Sequence, residues 1–404
     1  MNNSRSFGEE LHHARQAAGW SLRILSQYVH YSPSYLSRIE NGLRPPTYDL
    51  ALICDEALDA HGDLAALVPR PLIGPLRSLS LRDGDGRPPR VPSANATTDR
   101  VSSAIRGDDH LVATLEAIFD HLRHLGKQTH PEVVLAQLDV FMETVLNAAA
   151  GPGPVVGELT ALAARCAEFT GWMTQETGDL SGAARWTAKA EELAVRAGDL
   201  DLAAYTLVRR AELALYQRDP VRVAGLITSV GAAPEVSART RGLAAHREAQ
   251  GHALLGEADA CQAALDRASV LLSGAGVRSG IHGPSSVADP TTLVTGWCYH
   301  ALGRFGKAAA LLEDAVRDIP DQGRRVRGLF GARLARAHVA AGDLDRACET
   351  GDLALGLATR TGSASTYGEL RALAQALGRR TGHPPARLLH GEIVNALHRA
   401  GRAA

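Results

Sequence analysis

Aromatic residues are scarce in this sequence. Phe, Trp and Tyr make up 4% of its 404 residues, whereas apolar residues of all kinds make up 45%. The core must therefore be built from Ala, Leu and Val. That mixture favours helices and excludes a fold made mainly of sheets, which use aromatic and β-branched side chains. No stretch of about 18 apolar residues occurs, so no transmembrane helix is expected. The N-terminal MNNSRSFGEELHHARQ lacks the apolar run of a secretory leader. The five cysteines (Cys54, Cys166, Cys261, Cys298 and Cys348) are dispersed and contain no C-x-x-C. This excludes a disulfide framework and predicts reduced thiols in a cytoplasm. A strong charge of either sign is missing too. The formal charge is −1, so any nucleic-acid surface must be local.

Signatures of catalysis are also lacking. No paired acid and base, nucleophile elbow or phosphate-cradling loop is found. The GDGRP at 84–88 has neither the Lys nor the following helix of such a loop. No enzyme activity and no cofactor are expected. Metal binding is not expected either. His12 and His13 point apart on a helix, and His121 with His124 supplies two ligands at most. Cys261 and Cys348 fall at small-residue positions of a repeat and read as packing.

What is present divides into three parts. Residues 1–68 read as a compact set of five short helices. FGEELHHARQAAG carries Phe7, Leu11 and Ala14 on one stripe and stops at Gly19. SLRILSQYV starts with Ser21 as N-cap and turns Leu22, Leu25 and Val29 inward. TYDLALICDEAL is expected to bury Leu50, Ile53, Ala57 and Leu58, and GDLAAL closes the unit. Residues 69–108, rich in Pro, Gly, Ser and Arg, read as a linker. Residues 109–404 read as a helical array.

The stretch SPSYLSRIENG (32–42) is short for a helix and ends in Asn-Gly. It follows the 21–30 helix at helix-turn-helix spacing, in which the second helix enters a major groove. Leu36 and Ile39 point to the core. Ser34, Tyr35, Ser37 and Arg38 point outward, where Arg can bridge both acceptors of guanine and Ser can bond bases or phosphates. The pieces LHHARQAAGWS, LSRIENG and RPPTYDLALICDEAL resemble the phage-repressor-like XRE family of helix-turn-helix proteins over residues 7–67. The resemblance implies DNA contacts from Ser21, Arg23, Ser32, Ser34, Tyr35, Ser37, Arg38, Asn41 and Arg44. It also implies a structural ion pair between Arg15 and Glu40. Leu22 stands where the family usually has Gln, which removes one phosphate contact and leaves Arg23 or Arg44 to replace it. Residues 1–68 hold five Arg against eight Asp and Glu. Counterion release is therefore weak for one copy. Binding as a twofold dimer is expected, with half-sites about 34 Å or a multiple apart.

Repetition organises the third part. Gly296, Tyr299, Gly303, Phe305, Ala308, Leu312, Ala315 and Pro320 fall at tetratricopeptide-repeat spacings, and similar frames recur around Gly178, Arg218, Gly256 and Gly342. Each helix pair buries one face only when the next stacks on it, which predicts an α-solenoid. The first helix of each pair should line the concave side. That places Arg165, Glu168, Trp172, Gln175, Tyr205, Glu212, His246, Gln250, Trp297, His300 and Arg336 toward a groove suited to an extended peptide or a small molecule.

A helix-turn-helix followed by such an array is similar to bacterial peptide-sensing regulators, including quorum-sensing receptors. The resemblance implies an all-α, homodimeric, cytoplasmic transcription regulator. Its partners would be an operator and a signalling peptide or small-molecule effector, with no membrane. The alternative is a scaffold that binds a protein partner through its repeats, with DNA binding secondary or lost.

Overall fold

The computed structural model describes residues 6–29, 33–43, 46, 48–58, 60, 62–68, 109–150, 153–231, 235–273, 283, 287 and 289–403. The expected linker at 69–108 lies outside them. All regular structure in the described residues is helical. None of these helices is long and apolar enough to cross a membrane. The chain divides into two units, Met1–Arg90 and Val91–Ala404.

The N-terminal unit contains α1 (Phe7–Ala17), α2 (Leu22–Val29), α3 (Pro33–Glu40), α4 (Tyr48–Leu58) and α5 (Asp63–Ala66). A capping box starts α1: Glu9 N–H donates to Ser6 Oγ, and Ser6 N–H donates to Glu9 Oε2. Ser21 Oγ accepts from Ile24 N–H at the start of α2. Phe7, Leu11, Leu25, Val29, Leu36, Ile39, Leu50 and Leu64 form one core. Helices α1 and α3 approach closely at Gly8, where a Cβ would stand 2.4 Å from the Ile39 carbonyl oxygen. In α4 the inward stripe is Leu50, Ala51 and Cys54, and Ile53 is 36% exposed. This corrects the expectation for Ile53. The run Leu50–Cys54 is apolar on every side, so its helical phase is set by packing. Asp55 is buried and accepts from the Gly62 and Ala65 amides, both at 2.6 Å, which ties α5 to α4.

Among the described residues the second unit contains seven helix pairs. They are α6 (Asp109–Gly126) with α7 (Pro131–Ala149), α8 (Val156–Thr177) with α9 (Leu180–Ala197), and α10 (Leu200–Tyr216) with α11 (Pro220–Gly231). Then come α12 (Ala238–Leu255) with α13 (Ala258–Ser273), α14 (Pro290–Ala301) with α15 (Phe305–Arg317), α16 (Arg324–Ala341) with α17 (Leu344–Thr361), and α18 (Ala364–Leu377) with α19 (Pro384–Ala403). The result is the expected tetratricopeptide-type α-solenoid.

The turn positions recognised in the sequence share one backbone state. Gly178, Gly256, Gly303 and Gly342 all have positive φ, and Arg218, at φ 57°, is the non-glycine residue among those described that shares it. A left-handed residue ends the first helix of a pair. In three of these turns the next residue then caps the second helix: Asp179, Asp219 and Asp343 accept from the amides of Gly182, Arg222 and Arg346. The Gly-Asp breaks thus reverse the chain with two residues.

The last pairs reach back to the first. Arg325, at the start of α16, donates to the carbonyls of Gly126, Thr129 and Thr361 and to Glu176 Oε2 at 2.9 Å. Glu176 also accepts from the Ser363 and Ser365 hydroxyls. Both charged side chains are nearly inaccessible, at 3% and 4%. The array is thereby tied into a closed course around a cavity.

Candidate functional site

The first candidate surface is built on α2 and α3. Arg15 Nε and Nη2 donate to the two oxygens of Glu40 at 2.6 and 2.8 Å, and Nη1 donates to the Trp20 carbonyl. Burial alone would raise the Glu40 carboxyl. Hydrogen bonds and charge from Arg15 and His12 outweigh it and hold Glu40 below the ordinary carboxylate range. This pair fixes the end of α3 to α1. His12, whose Nδ1 lies 3.0 Å from Glu40 Oε2, is a third member that the sequence did not reveal.

Ser21, Arg23, Arg38 and Asn41 are exposed, and Ser37 is half-buried. The Asn41 amide nitrogen donates to the Ser37 carbonyl at 2.7 Å, closing the end of α3 before Gly42 turns left-handed. Ser34 and Tyr35 belong to α3, but their side chains lie outside the described set, as do residues Ser32 and Arg44. Leu22 is half-buried and packs on the core.

The second candidate site is a cavity of about 790 Å³ within the array. The first helices of all seven pairs, or the residues beside them, supply its walls. Glu168, Trp172, Tyr205, Glu212, Gln250, Trp297, His300 and Arg336 line it. Three residues expected in the groove do not. Arg165 pairs with Glu116 of α6 at 2.5 Å. Gln175 is buried and accepts from Arg209 Nη2 at 2.8 Å. His246 is buried, 3.1 Å from Thr291 Oγ1. Each stands where adjacent helices meet, so a shift of about one position around the helix separates wall from packing.

Several wall residues were not foreseen: Arg209, Arg247, Arg325, Arg333, Glu369 and Tyr216. Four of them, Arg209, Arg247, Arg333 and Glu369, enter two clusters. In one, Glu212 accepts from Arg209 Nη1 at 2.5 Å and from Arg247 Nη2 at 3.3 Å. In the other, Glu369 accepts from Arg333 Nε at 2.8 Å and from Arg336. Burial pushes both carboxyls up. The flanking guanidiniums win and hold Glu212 and Glu369 below the ordinary range. Glu168 behaves oppositely: burial raises it, and Arg209, 3.6 Å away, offsets only part of that. Burial, aided by Arg336, lowers His300 to about 4, so this wall histidine is neutral near pH 7. The Arg333 guanidinium lies 4.8 Å from the Phe330 ring centroid and 5.9 Å from that of Trp297. A stripe rule could have found Arg209, because Tyr205, Arg209, Glu212 and Tyr216 recur every three or four residues along one face of α10.

Among the described residues no cluster of three metal-ligating side chains occurs. His121 Nδ1 faces the Ala117 carbonyl, and His124 faces Gln128.

No curated protein matches the chain by sequence. A crystal structure of Bacillus thuringiensis PlcR in complex with the peptide PapR7 and DNA is similar over 88% of this chain and 95% of that one, at 9% identity and a TM-score of 0.24. The two do not superpose closely enough to relate individual residues. Residues 6–68 match the family model described as a helix-turn-helix domain, and the N-terminal unit of this chain carries such a domain.

Proposed function

We propose that this chain is a sequence-specific transcription regulator that binds DNA as a homodimer in the cytoplasm. In this reading an effector in the array cavity controls it, and the chain is not an enzyme. The observation that carries the reading is the pinned α3. Arg15 and His12 hold Glu40 on its inner side, while Arg38 stays exposed on its outer side. A rigid short helix with an outward guanidinium suits bidentate readout of guanine. Ser21, Arg23 and Asn41 then serve as backbone contacts that set register. The proposed base-reading set also includes Ser34, Tyr35 and Ser37, with Ser32 and Arg44 at its margins.

Control follows from linkage. An effector changes DNA affinity only by binding one arrangement of the dimer better than another. A coupling of about 1–3 kcal/mol shifts operator affinity by roughly 5- to 150-fold.

The test is an electrophoretic shift series on sites recovered from source DNA. Wild type should retard a small set of sequences, and Arg38→Ala should lose that selectivity while staying folded. Equal retardation of all sequences by both proteins would sink the reading. A scaffold role has one observation in its favour, the acidic balance of residues 1–68. It predicts that Arg38→Ala keeps full activity in cells.

A further inference from the structure

The cavity wall is not charge-balanced. Eight Arg and Lys side chains line it against four Glu, with no Asp. The excess is built in locally. Glu212 serves both Arg209 and Arg247, and Glu369 serves both Arg333 and Arg336. The Glu369 cluster therefore keeps one positive charge unmatched, whereas Arg209 in the other also stands 3.6 Å from Glu168. Arg209 and Arg333 are 3% and 12% exposed in their side chains, and Arg247 is 17% exposed. The Nε atoms of Arg209 and Arg247 are buried with no hydrogen-bond partner. Charge held this way is costly unless an anion completes it.

The wall also has an apolar part. Trp172, Trp297, Phe330 and Leu293 face the same space. Its volume lies in the range of about 300–1,000 Å³ typical of pockets that enclose one drug-sized molecule. The array is tied from Arg325 back to Glu176 and Gly126, so its inner surface is not an open-ended groove for a long extended chain.

Resting on the reading that this cavity is the effector site, we propose that it takes a compact organic oxyanion. The ligand would be a carboxylate or phosphate on a flat apolar body, its charged end between the Arg247 and Arg333 guanidiniums and its body against Trp297. Guanidinium forks match both oxyanions.

The test uses the full chain without DNA. The probe is 8-anilinonaphthalene-1-sulfonate, an aromatic oxyanion, with N-phenyl-1-naphthylamine as its uncharged counterpart. One saturable site should bind the anion at least about tenfold more tightly than the neutral compound, as expected where charge-assisted hydrogen bonds dominate. Arg333→Gln and Arg247→Gln should each weaken the anion by about tenfold. Glu369→Gln, which removes a competing carboxylate, should tighten it. That opposite sign separates charge from damage to the fold, and circular dichroism on each variant confirms that the helices persist. Displacement by 2-naphthoate against 2-naphthyl phosphate then tells which oxyanion the site prefers. Equal binding of the neutral compound, or weakening by Glu369→Gln, would overturn the ligand class and leave the DNA-binding reading standing. Charge-dependent binding with no change in operator affinity would keep the ligand class and overturn the effector role.

Discussion

The N-terminal unit and the array each bury an arginine against a glutamate, but only the array leaves charge over. In the N-terminal unit one guanidinium meets one carboxylate, and its third nitrogen goes to the Trp20 carbonyl. In the array Arg325 is as fully engaged, with one carboxylate and three carbonyls. These two are closures: every polar atom has a partner, and the geometry is fixed. The Glu212 and Glu369 clusters differ. There guanidiniums share carboxylates, Arg333 and Arg336 on Glu369 alone and Arg209 and Arg247 on Glu212 with Glu168 beside Arg209, inside a cavity with aromatic walls. Saturated pairs hold the fold, whereas unsaturated ones are where a ligand can bring something new.

The largest expected effect tests the closure of the array. Arg325→Ala leaves buried Glu176 without its guanidinium, with only the Ser363 and Ser365 hydroxyls donating to it, and should cost the array about 3–5 kcal/mol. Urea unfolding followed by circular dichroism reads this, and the transition of the N-terminal unit should not move. A loss below about 1 kcal/mol, the range of a surface pair, would mean that the ring is not held there.

Next is the pair in the smaller unit. Arg15→Ala should cost about 2–3 kcal/mol, since Glu40 keeps a partner in the more exposed His12. The pH dependence has a definite sign. Glu40 titrates lower folded than its ordinary 4.5. Its contribution is complete above that value and is lost as pH falls through the lower folded value. Glu40→Gln should therefore flatten the acid limb of the stability curve of this unit, as measured by thermal melts from pH 6 down to pH 3.

Arg38→Ala sharpens the contrast from the other side. Operator affinity should fall by about 1–3 kcal/mol, while stability stays within about 0.5 kcal/mol because the side chain is exposed. Competition binding with matched and scrambled duplexes checks the first, and a thermal melt the second. Smallest is Arg218→Gly. The left-handed backbone at Arg218 suits glycine better, and the array should gain about 0.5–1 kcal/mol in denaturant midpoint analysis.

Much of the fold was legible because local rules wrote it. Gly178, Gly256, Gly303 and Gly342 mark left-handed turns, and Arg218 was recognised from its place in the repeat although its side chain disfavours that conformation. The Asp residues beside three of these turns announce the next helix. The phase of α4 was not legible, because an unbroken apolar run has no polar side to orient it, and Ile53 came out exposed. The cavity was partly legible. Counting along first helices reached Glu168, Trp172, Tyr205, Glu212, Gln250, Trp297, His300 and Arg336. It missed Arg209, which the stripe of α10 carries, and Arg247 and Arg333, which look like ordinary surface charges within their own helices. The partners of Arg247 and Arg333 stand on other helices, Glu212 and Glu369, 35 and 36 residues away. Contacts of that range leave no periodic trace. The same holds for His12, which was weighed as a metal ligand and stands instead against Glu40.

The measurement that bears most directly on the central claim is recovery of source DNA by the purified full-length chain at near-physiological salt, run beside Arg38→Ala. A few enriched sites sharing a symmetric motif, with half-sites about 34 Å or a multiple apart, are the predicted result, together with their loss in the variant. Enrichment of no sequence over bulk DNA, or identical enrichment by both proteins, would contradict it.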